Sequence, residues 1–130
     1  MKYRRGSLPT KFYLAVKENN NTEVKRLIKT KGLDVDQRFT SRRNSALHIA
    51  VEKGFWDMFE TLLQAACNVN VRSRDGTTPF LLACALVESN KFSERLLDEG
   101  ANINATDSSM FNFLIYTSYH LIYACIYRWF

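Results

Sequence analysis

Apolar residues in this chain fall on pairs of short helical faces, and the pairs recur. From Ala46 to Lys53, Leu47, Ala50 and Val51 share one face of a helix. Asn44 and Ser45 offer capping side chains ahead of it, and Gly54 suits the left-handed stop behind it. From Trp56 to Ala65, Met58, Phe59, Leu62 and Leu63 keep the spacing of a second amphipathic helix. The pattern then turns polar and extended through Asn68-Val69-Asn70 to Asp75-Gly76. Phe80, Ala83 and Cys84, followed by Phe92, Leu96 and Leu97, repeat both faces, and Gly100-Ala101-Asn102-Ile103-Asn104 closes them. A weaker earlier copy has Phe12, Ala15 and Val16 on one face, Val24, Leu27 and Ile28 on the other, and Gly32-Leu33-Asp34-Val35-Asp36 at its end. There Asn19-Asn20-Asn21 replaces the glycine between the helices, a residue type that tolerates a left-handed turn.

Ser45-Ala46-Leu47-His48-Ile49-Ala50 and Thr78-Pro79-Phe80-Leu81-Leu82-Ala83 lie 33 residues apart, and Leu62-Leu63 and Leu96-Leu97 lie 34 apart. The extra residue falls near Val87-Glu88-Ser89-Asn90. Such a period predicts stacked copies of one unit, each covering its neighbour's apolar flank, so Leu62, Leu63, Leu96 and Leu97 should all be covered. The predicted architecture is an all-α helix-turn-helix solenoid with short β-turn or hairpin loops. It divides into a basic segment 1–9, a repeat domain 10–109 with units at about 10–39, 40–72 and 73–105, and an apolar non-repeat tail 110–130. A stack offers a long groove and no enclosed reaction chamber, which favours binding over catalysis.

These residues resemble the ankyrin repeat. Its turn, T-P-L-H-x-A start, interhelical glycine, Leu-Leu helix and G-A-[DN]-[VI]-N close are found in Gly76-Thr77-Thr78-Pro79-Phe80, Leu47-His48-Ile49-Ala50 and Gly100-Ala101-Asn102-Ile103-Asn104. Ala46 replaces the proline, Leu81 the histidine, Arg43 the turn glycine and Ala66 the loop glycine. The resemblance implies a concave surface of turn tips and first helices that holds other proteins, making the chain an adaptor or scaffold fragment. The variable positions would be Ser41, Arg42, Asn44, Glu52 and Lys53 in one unit, and Arg74, Asp75, Thr77, Ala85 and Leu86 in the next. It gives a structural role to His48, which would tie neighbouring units together with help from Ser45, and to Gly54, Gly76, Pro79 and Gly100. Removing His48 would then cost about 1–3 kcal/mol through a lost buried hydrogen bond.

Charge sharpens the ligand class. Residues 1–43 hold twelve Lys/Arg against four Asp/Glu, whereas residues 44–110 hold five against nine. With Arg42, Arg43, Arg72 and Arg74 at the turn tips and Leu86 as an apolar anchor, an acidic peptide or protein face is the preferred partner. Adjacent Phe55 and Trp56 cannot both be buried easily: one should pack beneath the next unit and the other face an interface. Lys2-Tyr3-Arg4-Arg5 is too short a basic run to suggest nucleic acid.

No catalytic, metal or cofactor constellation is legible. His48 lacks a nucleophile and orienting group, and the carboxylate pairs Asp34/Asp36 and Asp98/Glu99 lie on polar edges. The five glycines are scattered at unit boundaries rather than gathered in a phosphate loop. Cys67, Cys84 and Cys125 have no metal-like spacing and suit a reducing compartment, cytoplasmic or nuclear. Met1-Lys2-Tyr3-Arg4-Arg5-Gly6 has charge but no apolar stretch behind it, so no secretory leader is expected.

The tail departs from the repeat. In register, Met110 stands at the turn glycine, Phe113 at the proline and Thr117 at the alanine. Three readings compete for residues 110–130: an aberrant segment read through from non-coding sequence, an irregular helix over the open end of the third unit, and a membrane anchor within 111–130. The last makes a membrane-tethered protein the alternative function, although four tyrosines, His120 and Asn112 suit a hydrocarbon-facing helix poorly.

Overall fold

Capping residues set the helix boundaries. In the computed structural model, which describes residues 5–86, 90–112 and 114–115, six helices and one short hairpin form. Helix α1 spans Leu8–Lys17 and α2 Asn21–Ile28; strands β1 (Arg38–Phe39) and β2 (Asn44–Ser45) follow; then come α3 (Ala46–Lys53), α4 (Trp56–Gln64), α5 (Pro79–Ala85) and α6 (Asn90–Asp98). Asn20, Ser45 and Thr78 each accept a backbone N–H of the third helical residue, satisfying donors that a helix start leaves open. Gly54 ends α3 at φ 72°, where a Cβ would crowd the backbone.

Each unit is an antiparallel helix pair, and the pairs stack in chain order. Helices α1, α3 and α5 pack side by side as an inner layer, with α2, α4 and α6 behind them. The predicted faces form one continuous core: Phe12, Val16, Val24, Leu27, Leu47, Ala50, Val51, Met58, Phe59, Leu62, Phe80, Ala83, Phe92 and Leu96 are all buried. Leu63 joins them, but Leu97, its counterpart one unit on, is 39% exposed. The expectation for Leu97 therefore fails. No further helix pair stands beyond α6 among the described residues, so the flank that α6 presents there lacks the cover that it gives to α4.

Hydrogen-bond ladders tie the loops across units. Asp36 Oδ1 accepts from the Asn68 N–H at 2.7 Å, and Asn70 Oδ1 accepts from the Asn102 N–H at 2.7 Å. Within each loop the first Asx turns the chain, as Asp34 does for the Asp36 N–H and Asn68 for the Asn70 N–H. A second ladder uses arginine: Arg38 donates to the Arg72 carbonyl at 3.3 Å, and Arg72 to the Thr106 carbonyl at 3.2 Å.

Among the described residues five non-glycine residues hold positive φ, and four of them stand where the repeat wants a glycine or turn residue. They are Asn19 (54°), Arg43 (56°), Ala66 (56°) and Met110 (64°). A Cβ in this region costs about 1–2 kcal/mol, partly offset by the larger unfolded-state entropy of glycine. Ala66→Gly should therefore stabilise the chain by about 0.5 kcal/mol, read as a shift in the urea midpoint. A lower midpoint would show that the Ala66 methyl group matters more than its backbone strain.

Repeat geometry runs past residue 109, where the sequence pattern breaks. The Ser108 N–H donates to the Asp75 carbonyl as the Arg74 N–H does to Arg42, both at 2.8 Å. The Asp107 N–H meets the Phe111 carbonyl as the Ser73 N–H meets Thr77, both at 3.0 Å. Asn112 Oδ1 then accepts from the Ile115 N–H at 3.3 Å, in the register of Ser45 and Thr78. The opening turn of a fourth unit is thus built on the third despite its poor side-chain match. The tail beyond Ile115, with Phe113, Cys125 and His120, lies outside the described residues, as do Val87-Glu88-Ser89 and Met1-Lys2-Tyr3-Arg4. Readings that depend on those residues lie there too.

Candidate partner-binding surface

The inner helices and the hairpin between units one and two form an open groove. Its volume is about 530 Å³. Tyr13 and Lys17 on α1 line one wall; Ile49, Glu52, Lys53 and Phe55 line the other; Ser41, Arg42 and Asn44 reach in from the hairpin. Three cations face one carboxylate across this surface, and two aromatic rings supply apolar contact. Arg42, Glu52 and Lys53 are exposed, while Asn44 and Phe55 are half-buried. Among the described residues no ion pair holds Arg42, Arg43 or Arg74, so their guanidinium groups are available to a carboxylate. Arg72 differs, since its guanidinium is committed to the Thr106 carbonyl within the stack.

The structure thus gathers Ser41, Arg42, Asn44, Glu52 and Lys53 into one surface. Arg74 and Asp75 lie exposed on the next turn, where the Arg74 N–H donates to the Arg42 carbonyl and the Asp75 carbonyl accepts the Ser108 N–H. Ala85 and Leu86 are half-buried at the end of α5. Thr77 has a structural task besides, because its carbonyl accepts both the Ser73 N–H and His48 Nε2. Phe55 and Trp56 are both half-buried: Trp56 packs against Phe59 and against Phe92 of unit three, at 5.3 and 5.0 Å, and Phe55 lines the groove. Tyr13 and Lys17 were not singled out in the sequence, though register offers a signal. Ala15-Val16 match Ala50-Val51 at an offset of 35, which puts Tyr13 in the position of His48 and Lys17 in that of Glu52.

His48 is fully buried, and its bonds define its protonation. Nε2 lies 2.7 Å from the Thr77 carbonyl, which can only accept, so Nε2 carries the proton. Nδ1 is then bare and accepts from the Ser45 N–H at 3.2 Å and the Ser45 hydroxyl at 2.9 Å. In return Ser45 Oγ accepts the His48 N–H, a capping box with histidine in the usual place of glutamate. Burial pushes the His48 pKa below its ordinary value, against the Thr77 bond and the Glu52 charge, which both raise it. A neutral imidazole with both nitrogens engaged is a clamp between units two and three, not a base awaiting substrate. At Gly76 (φ 75°), an added Cβ would come within 3.1 Å of the Ser108 backbone nitrogen, so the clamp's turn also needs glycine for space. Pro79 opens α5 at a position that needs no N–H, and Gly100 ends the third unit at φ 89°.

Burial also raises the thiols, Cys67 to about 12 and Cys84 to about 11, which leaves both protonated and unreactive near neutral pH. Among the described residues no cluster of His, Cys, Asp and Glu could hold a metal ion. No helix among them is long and apolar enough to cross a membrane.

A family model described as ankyrin repeats (3 copies) matches residues 12–107. The human ankyrin repeat and SOCS box protein 16 is 34% identical over 83 residues, which are 64% of this chain and 18% of that protein. The chain thus corresponds to less than a fifth of this curated relative's length. With three stacked helix pairs, a histidine clamp at the turn and a family match spanning most of its length, this chain belongs to the ankyrin repeat family.

Proposed function

We propose that this chain is an adaptor module that holds an acidic segment of a protein partner in the groove between units one and two. Ankyrin repeats are in general protein-interaction modules. One observation carries the finer reading: Lys17, Arg42 and Lys53 converge on a surface that also offers Tyr13 and Phe55. Aromatic rings supply contact area at low entropic cost, and the cations select carboxylates and speed encounter. No chemistry is assigned to the site itself. A reducing compartment, cytoplasmic in this reading, suits two separate unpaired thiols, Cys67 and Cys84.

Charge reversal tests the groove. Arg42→Glu with Lys53→Glu should reduce capture of acidic partners about 10-fold or more, measured by quantitative pull-down, with wild-type binding weakening as salt rises. Arg74→Glu, one turn away, should act less. Unchanged binding of every partner by the folded double variant would remove the basic-groove reading.

A further inference from the structure

The basic start of the chain precedes a serine at the mouth of α1. Arg4-Arg5-Gly6-Ser7-Leu8 places two arginines three and two residues before a hydroxyl and an apolar residue directly after it. That order suits a kinase whose substrate cleft is lined with carboxylates and ends in an apolar pocket, because each arginine can be gripped bidentately. The structure supplies the rest. Ser7 has extended backbone (φ −66°, ψ 156°) as the residue before α1, and Arg5 and Gly6 ahead of it are exposed. Its side chain caps no backbone N–H of α1; Ser7 is half-buried and its hydroxyl lies 3.0 Å from that of buried Thr10, a contact that phosphate would replace.

We infer that Ser7 is a modification site for a basophilic serine kinase, and that its phosphate caps α1. In the transfer, Ser7 Oγ attacks the γ-phosphorus of ATP. A new O–P bond forms, the bond from that phosphorus to the β,γ-bridging oxygen breaks, and ADP departs with the electron pair. The hydroxyl proton passes to the kinase's carboxylate base and then to water. The product carries close to two negative charges at the positive end of the helix dipole. The first turn of α1 contains no acidic residue to repel it, and Lys11 stands one turn on, where an N-terminal anion pairs favourably. The site is independent of the groove reading.

Incubating the folded chain with ATP and the catalytic subunit of cyclic-AMP-dependent protein kinase tests the inference. Peptide mass spectrometry should place about one phosphate per chain on Ser7. Ser7→Ala should abolish that signal, and Arg5→Ala should slow incorporation about 10-fold or more. The phosphorylated chain should melt about 2–6 °C above the unmodified one, the shift that a helix-terminal charge gives a domain of this size. Phosphate appearing elsewhere, or no incorporation while a peptide spanning residues 2–12 is modified readily, would overturn the site. An unchanged or lower melting temperature would overturn the capping role.

Discussion

Phe59→Ala should be among the most damaging single changes in the chain, costing roughly 3–5 kcal/mol of folding stability. The ring is fully buried in α4 and meets Trp56 at 5.3 Å and Phe92 of α6 at 4.8 Å, the latter edge to face. Truncation opens a cavity and breaks an aromatic triad that joins units two and three, adding about 0.5–1.5 kcal/mol to the lost burial. Because each unit contacts only its neighbours, the damage should show in cooperativity as well as in the midpoint. Urea unfolding followed by circular dichroism should give a lower midpoint and a shallower slope, as unit three melts ahead of the rest. The Glu60–Arg95 ion pair spans the same junction at 3.0 Å but, being part-exposed, cannot hold it alone. Leu97→Ala is the control: in the register of buried Leu63 yet already 39% exposed, Leu97 should lose at most about 1 kcal/mol. Similar midpoints for the two variants would mean that the triad does not carry the junction.

How far the sequence reaches depends on whether a signal is local. Ser45, Gly54 and the Leu-Leu faces act within their own helices, and residue type alone places α3 at Ala46–Lys53. Signals that need two units to meet are weaker. Arg42, Arg72 and Arg74 look alike along the chain, yet of the three only Arg72 sends its guanidinium to a neighbouring unit's carbonyl, because its place before the turn aims it along the stack. Asp34-Val35-Asp36, Asn68-Val69-Asn70 and Asn102-Ile103-Asn104 are visible as a recurrence. Their alternating duties, turning one loop and then binding the next, appear only once the loops are side by side. Leu97 is apolar by inheritance of the repeat, and apolarity cannot report whether a neighbour covers it. Tyr13 and Lys17 are hard to read as groove residues because unit one is the weakest copy and carries least of the motif that marks the variable positions in units two and three. The fourth turn was hidden for the opposite reason: backbone register persists through Met110 and Asn112 where side-chain identity fails.

Stability should fall as the medium is acidified through pH 6.5, and His48 should account for an identifiable part of the loss. Its ring is fully buried, and burial depresses its pKa below the ordinary 6.5. Between the depressed folded value and 6.5, the unfolded chain takes up a proton that the folded chain refuses. Unfolding is therefore favoured as pH drops across that window, and the contribution of His48 is complete only above it. The structural cause is the bare Nδ1: protonating it would set an N–H against the Ser45 N–H, opening the capping box of α3. Wild-type chain should lose more stability between pH 7.5 and 5.5 than His48→Ala, a comparison in which carboxylate titrations common to both cancel. At pH 7.5 the substitution itself should cost about 2–4 kcal/mol, since it removes the imidazole's bonds to Ser45 and to Thr77 and leaves a cavity. Parallel pH profiles in urea unfolding would show that folded His48 takes up its proton as readily as the unfolded chain does, which would overturn the depressed pKa and with it the bare Nδ1 as the acceptor in the clamp between units two and three.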